Sequence, residues 1–445
     1  MDPQVIAASR SAFPSSSGTI TLGAVVHDGA CDPHPVVTVP LSMTNRHGLI
    51  AGATGTGKTR TLQLIAEQLS AGGVPVFLAD IKGDLSGLGA AGETNERITT
   101  RARDTGYDWH GASYPVEFLS LTGKKGAQLR ATVSSFGPLL LAKVLGLNET
   151  QTSVLALVFK YCDDKGLLLL DFSDLRAVLQ YLTGDGAGEL KDYGGMSKAT
   201  VGVLLREMIE LEQQGAEQFF GEPEFDLDDL MQVERDGRGL ISVLELQDTQ
   251  DKPALFSTFM LWMLATLYND LPEVGDLEKP KLVFFFDEAH LLFDNASKAL
   301  LEQVEQVVRL IRSKGVGVFF ITQSPKDIPA TVLGQLGHRV QHALRAFTPD
   351  DEKALRAAAR TYPKTPFYDI QSTLTSLGTG EALVTVLSPN GVPTPPFACR
   401  LIPPSARMGP LSDAELAQRL TTPQVRKYAT GMDRESAREM LAARV

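Results

Sequence analysis

Gly52-Ala53-Thr54-Gly55-Thr56-Gly57-Lys58-Thr59 has the spacing GxxxxGK[ST], followed by Arg60. Each residue type in this pattern has a chemical reason. The glycines let successive backbone N–H groups curl around a phosphate where a Cβ would clash. A helix starting near Gly57 would aim its positive end at the same anion. Lys58 is placed to bridge β- and γ-phosphates, and the Thr59 hydroxyl to ligate Mg²⁺. The expected ligands are therefore ATP and Mg²⁺, with residues 52–60 as the binding loop.

A second constellation reads KLVFFFDEAH over 281–290. Five apolar residues end in adjacent acids, Asp287 and Glu288. Acids at the carboxyl end of a buried strand lie where open α/β sheets bind ligands. Asp287 is expected to hold Mg²⁺, and Glu288 to orient and deprotonate an attacking water. Two adjacent acids favour a hydrolase over a kinase.

A third run, VGVFFITQSP (316–325), puts Gln323 after another apolar strand. It reads either as a γ-phosphate sensor or as an ordinary loop glutamine. Asp80, in LADIKGD, reads equally as a group behind the metal or as a turn cap. Arg312 could complete a neighbouring subunit's site by stabilising the transferring phosphoryl group, or simply suit a helix C-terminus. His290 has no second metal ligand at a suitable spacing. The Gly123-Lys124-Lys125-Gly126 loop reads as a DNA phosphate contact or as a solvated turn.

The elements that must position these residues are legible as hydrophobic runs. HGLIAG (47–52), the helical spacing of Lys58–Ala71 and VPVFLAD (74–80) make a strand–loop–helix–strand unit, which implies a parallel sheet. GLISVLEL (239–246), 281–286, 316–322, RVQHALRA (339–346) and EALVTVL (381–387) read as further strands. The fold class is α/β with a mainly parallel central sheet. Residues 1–46 are expected to hold a loose start (1–18) and a β hairpin (19–26 with 36–41). Residues 47–95 are the first part of the core, 96–236 a mostly helical insertion and 237–388 the second part of the core. Residues 389–445 are a Pro-rich extended linker with C-terminal helices.

Composition narrows the class further. The 445 residues are 43% apolar and 21% charged, with a net charge of −11. That excludes a broad basic surface for coating nucleic acid, though not a small basic strip. The cysteines, Cys31, Cys162 and Cys399, are too scattered for a metal or disulfide framework. No signal peptide is expected. The uncharged stretch 253–269 is short for a membrane span and reads as a buried helix. A cytoplasmic protein with no membrane partner fits.

The runs RHGLIAGATGTGKTRTLQLIAEQL, LADIKGDLSGL, FFFDEAHLLF and IRSKGVGVFFITQSPKDIP resemble the HerA/FtsK superfamily of P-loop motor ATPases. FGPLLLAKVLGLNETQ (136–151), LLLLDFSDLRAVL (167–179) and EQFFGEPEFDLDDLM (217–231) are similar to its YjgR group of bacterial HerA-like helicases. The resemblance covers roughly 19–445. It implies a RecA-like ASCE P-loop NTPase core, with a catalytic glutamate on a strand beside the P-loop. It also implies Mg²⁺-ATP hydrolysis with Lys58, Thr59, Asp287, Glu288 and Gln323 in the roles above. A homo-oligomeric ring, a hexamer, with Arg312 acting in trans and double-stranded DNA as track would follow. Two departures stand out: the N-terminal part is shorter than HerA's β-barrel, and no basic Gly-rich tail follows. The competing expectation is an ATP-dependent switch or assembly factor acting on proteins, consistent with the acidic balance and the helical insertion.

Overall fold

A computed structural model describes residues 1–294 and 298–444. Twelve strands form one sheet: β1 (Thr19–His27), β2 (Ala30–Pro40), β3 (Gly48–Ala51), β4 (Val76–Asp80), β5 (Val116–Ser120), β6 (Ala127–Gln128), β7 (Ile241–Glu245), β8 (Leu282–Phe286), β9 (Val316–Thr322), β10 (His338–His342), β11 (Glu381–Thr385) and β12 (Phe397–Leu401). Their order is β2-β1-β12-β11-β10-β3-β9-β8-β4-β7-β5-β6. From β10 to β6 every neighbouring pair is parallel; from β10 back to β2 every pair is antiparallel.

The apolar runs explain the parallel half. Phe77, Ala79, Phe284 and Phe286 face one buried cluster, while Val76, Leu78, Val283 and Phe285 face another. Strands buried on both faces need no polar alternation. Leu62, Ile65 and Leu69 of helix α2 (Lys58–Ala71) cover the second face. The helix Pro253–Asp270 covers the first with Leu255, Phe259 and Trp262. No helix among the described residues is long and apolar enough to cross a membrane.

Several sequence expectations change. Residues 1–18 are not all loose: α1 (Pro3–Ala12) is capped by Asp2, whose side chain accepts from the Gln4 N–H, and buries Val5. The stretch 96–236 is helical in α3 (Glu96–Thr105), α4 (Val133–Val144), α5 (Glu149–Lys165), α6 (Phe172–Thr183) and α7 (Lys198–Gln213), yet it also gives β5 and β6 to the main sheet. The Pro-rich run is more than a linker, because β12 pairs with β1 and β11. The chain then lies over α2, where the Ser405 and Ala406 N–H groups donate to Glu67 (2.6 and 3.0 Å). The strand expected over 339–346 ends at His342. Finally, β8 is not the immediate neighbour of the P-loop strand: β9 lies between β3 and β8. Two inter-strand steps open a gap of roughly 10 Å at the carboxyl edge, room for a phosphate group between loop and acids.

Candidate nucleotide site

The loop after β3 is shaped by left-handed glycines, Gly52 (φ 155°), Gly55 (78°) and Gly57 (116°). A Cβ on Gly52 would lie 2.5 Å from the His342 Cβ, so this position is closed to any side chain. The loop is tied to both neighbouring strands: Gly52 N–H donates to Thr322 O (3.2 Å) and Ala53 N–H to Ala343 O (2.9 Å). Thr56 Oγ1 donates to Ala53 O (2.7 Å). Thr54 and Gly55 are exposed at the tip.

Lys58 is buried and turns back on the loop, donating to the carbonyls of Gly52 (2.7 Å) and Ala53 (3.0 Å). Burial, and then the charge of Lys82, hold its pKa below the ordinary lysine range. Thr59 stands half-buried in the first turn of α2. That helix begins at Gly57 and has no side-chain cap, leaving its first N–H groups for an anion. Arg60 points along the helix instead, to Gln63 Oε1 (2.8 Å) and Asp84 (3.9 Å).

Across the gap, Asp287 Oδ1 accepts the Glu288 N–H (2.9 Å), while Oδ2 is buried with no partner. Burial pushes the Asp287 carboxyl up to about 7. An orphaned, buried carboxylate oxygen at the same sheet edge as a phosphate loop suits a hard cation. Among the described residues, no group of three or more His, Cys, Asp or Glu could hold a metal by itself. Mg²⁺, which takes few protein ligands and shares nucleotide oxygens, fits this set. Glu288 has a left-handed backbone (φ 49°, ψ 49°), a strained conformation for a non-glycine residue. Its carboxylate meets Lys82 Nζ (2.6 Å) and His290 Nδ1 (3.4 Å).

Gln323 is exposed in a 560 Å³ cleft with Ala53, Thr54, His290, Ser324 and Arg345. The turn holding it is fixed by Asp327, which accepts from Thr322 Oγ1 (2.7 Å) and the Ser324 N–H (3.1 Å). Asp80 is a turn cap: it accepts from the N–H groups of Gly83 (2.8 Å), Asp84 (3.3 Å) and Leu85 (2.9 Å). Lys125, of the basic loop between β5 and β6, donates to Gln247 Oε1 (2.7 Å).

Thus residues 52–59, Asp287, Glu288 and Gln323 meet at one sheet edge. Arg312 does not join them. It starts a turn before β9, at the amino edge, near Arg46 and Asp276.

The contacts of three residues at this edge were not legible in the sequence. His342 is buried against the loop, with Nε2 2.8 Å from Thr61 Oγ1 and its pKa lowered to about 4 by burial. Glu245 ends β7 with an unpartnered buried Oε1, pushed up to about 8 by burial and by Asp80. An acid breaking the apolar run GLISVLEL was its signal. Lys82 was visible beside Asp80 in LADIKGD, but its pairing was not, since Glu288 lies 206 positions away.

Comparison with known proteins gives the family and the fold. The family described as "Helicase HerA-like C-terminal" matches residues 28–445. The "DNA double-strand break repair helicase HerA" of Sulfurisphaera tokodaii is 23% identical over 395 residues, 83% of this chain and 67% of that protein. "Probable helicase MJECL08" of Methanocaldococcus jannaschii is 29% identical over 154 residues, 32% of this chain but only 28% of that protein. The fold is similar to the bacterial conjugative coupling protein TrwBdeltaN70, with TM-score 0.58 and 16% identity over 91% of this chain and 93% of that one. It is also similar to TrwB solved in complex with ADP and Mg²⁺, with TM-score 0.55 and 14% identity over 90% and 94%. VirB4 of Thermoanaerobacter pseudethanolicus gives 0.51 and 17% over 87% and 97%. At these identities the solved structures establish the fold, an α/β P-loop architecture with a large, mostly parallel sheet. With 28–445 matched, the chain belongs to the Helicase HerA-like C-terminal family.

Proposed function

We propose that the chain is a Mg²⁺-dependent ATP hydrolase of the HerA/FtsK motor type, nearest its YjgR group, that moves along double-stranded DNA as a homo-oligomeric ring, a hexamer. One observation carries the hydrolase reading: the uncapped phosphate loop and the orphaned Asp287 oxygen share one edge of the sheet, with Glu288 beside them.

The chain's groups divide the work. Backbone N–H groups of residues 54–59 cradle the β-phosphate, and Lys58 exchanges its two carbonyl partners for β- and γ-oxygens. Thr59 and Asp287 would hold Mg²⁺, which would neutralise phosphate charge. Glu288 takes a proton from water as the water oxygen bonds to the γ-phosphorus and the bond to the bridging oxygen breaks. Gln323 orients that water. The nucleoside lies in the apolar 330 Å³ cleft beside Gly57, Arg60 and Leu64, walled by Ile402, Pro403 and Met408. Arg312, at the opposite edge, serves the next protomer's phosphates in the ring.

The test is the ATPase rate with and without duplex DNA at low salt, paired with mass by light scattering. Stimulation by duplex DNA and a multimeric mass are expected. Turnover untouched by DNA, with no binding, would leave the hydrolase reading and remove the DNA track. ATP-dependent assembly without nucleic acid would favour a switch acting on proteins.

A further inference from the structure

Lys82 lies outside the loop and acid motifs, yet its surroundings fix its backbone in detail. It follows β4, the strand paired with β8, so the turn after Asp80 lies beside the Asp287–Glu288 pair. Asp80 caps that turn through three N–H groups. Gly83 takes a left-handed φ of 73°, and a Cβ there would lie 2.2 Å from Gln247 Cδ. Gln247 donates to Lys82 O (2.8 Å), and Gln250 to Ile81 O (2.6 Å). The backbone is therefore pinned by several bonds, while the ammonium is held by Glu288 on a side chain that is 45% exposed, against 11% for Glu288.

Lys82 Nζ sits 2.6 Å from Glu288 Oε1, and its charge reaches the loop lysine, Lys58. A carboxylate engaged by an ammonium is a poor proton acceptor. A water-activating Glu288 must instead address a water about 3 Å from the γ-phosphorus. The ammonium bonded to Glu288 stands at the same sheet edge as the phosphate loop.

We propose that Lys82 is a positioning residue that holds the Glu288 carboxylate while the site lacks a γ-phosphate, and moves its ammonium onto the γ-phosphate when ATP is present, releasing Glu288. This rests on the ATP hydrolase reading. Lys82 then reads the third phosphate and keeps the base idle with ADP. No bond is made or broken in the exchange; one ion pair replaces another.

Equilibrium binding of Mg-ADP and of the β,γ-imido analogue of Mg-ATP to the wild type, Lys82→Met and Lys82→Arg tests it. The methionine variant is expected to lose about tenfold in affinity for the triphosphate analogue, the margin by which the γ-phosphate contact outweighs the Glu288 pair it replaces. Its ADP affinity should stay within about twofold, and the arginine variant should recover most of the loss. Equal losses for both nucleotides would reduce Lys82 to a structural ion pair, and no loss for either would remove it from the site; each overturns the proposal. A wild type that binds neither nucleotide would overturn the hydrolase reading and this inference together. A wild type that binds both, with unchanged Lys82→Met, would overturn this inference alone.

Discussion

The two edges of the central sheet treat buried polar groups in opposite ways. At the amino edge, His47 pairs Nε2 with Val308 O (2.7 Å) and accepts the Val318 N–H at Nδ1 (3.0 Å). His338 does the same with Met43 O (2.7 Å) and the Leu387 N–H (3.3 Å). At the carboxyl edge, Asp84, Glu245, Asp248, Asp287 and His342 each keep a buried atom without a partner. Among the described residues these are all the ionisable side chains that do; Asn45 and Ser242, toward the amino edge, are neutral. Helix ends follow the same division. In the insertion, α4, α5, α6 and α7 are capped by Thr132, Asn148, Asp171 and Ser197, whereas α2 starts uncapped at Gly57. A fold normally satisfies such groups because each orphan costs about 1–3 kcal/mol. Concentrating the ionisable ones at one edge, while the neutral ones (Asn45, Gln214, Ser242, Trp262 and Gln424) are scattered, is what a site completed by a charged ligand looks like.

Substitutions should break this contrast unequally. Lys58→Ala, at the carboxyl edge, is expected to abolish tight ATP binding while leaving the fold intact, as titration and circular dichroism would read. Next, Glu288→Gln should keep nucleotide binding but cut turnover by a factor on the order of 100; wild-type turnover would remove Glu288 from the mechanism.

The amino edge should respond to pH rather than to nucleotide. Burial lowers His47 and His338 to about 4, so both are neutral in the fold and titrate earlier when unfolded. Their stabilisation is full above about pH 6.5 and is lost as pH falls toward 4. Each ring withdraws about 1 kcal/mol by pH 5.5. Denaturant midpoints that stay flat between pH 7.5 and 5.5 would contradict this. The smallest effect belongs to the insertion: Asp171→Ala removes a cap and should cost about 1 kcal/mol, with nucleotide affinity unchanged.

Much of the carboxyl edge was legible in the sequence because its signals are local. The glycine spacing of 52–57, the helical period of Lys58–Ala71 and the uninterrupted runs before Asp287 and Gln323 each report their own conformation. What was missed depends on distant partners. Phe397–Leu401 is a short run between prolines, and only its pairing with β1 and β11 makes it a strand. Val116–Ser120 extends the sheet because β7 offers an edge, inside a segment whose other elements are helical. The spacing of β3 from β8 by β9, the Lys82–Glu288 pair and the Arg312 location are likewise consequences of chain order in three dimensions.

The most direct measurement is a structure of the Glu288→Gln protein with Mg-ATP. The β- and γ-phosphates are expected inside the Gly52–Thr59 loop, with Mg²⁺ between Thr59 and Asp287. Nucleotide bound elsewhere, or a loop left empty at saturating Mg-ATP, would contradict the assignment.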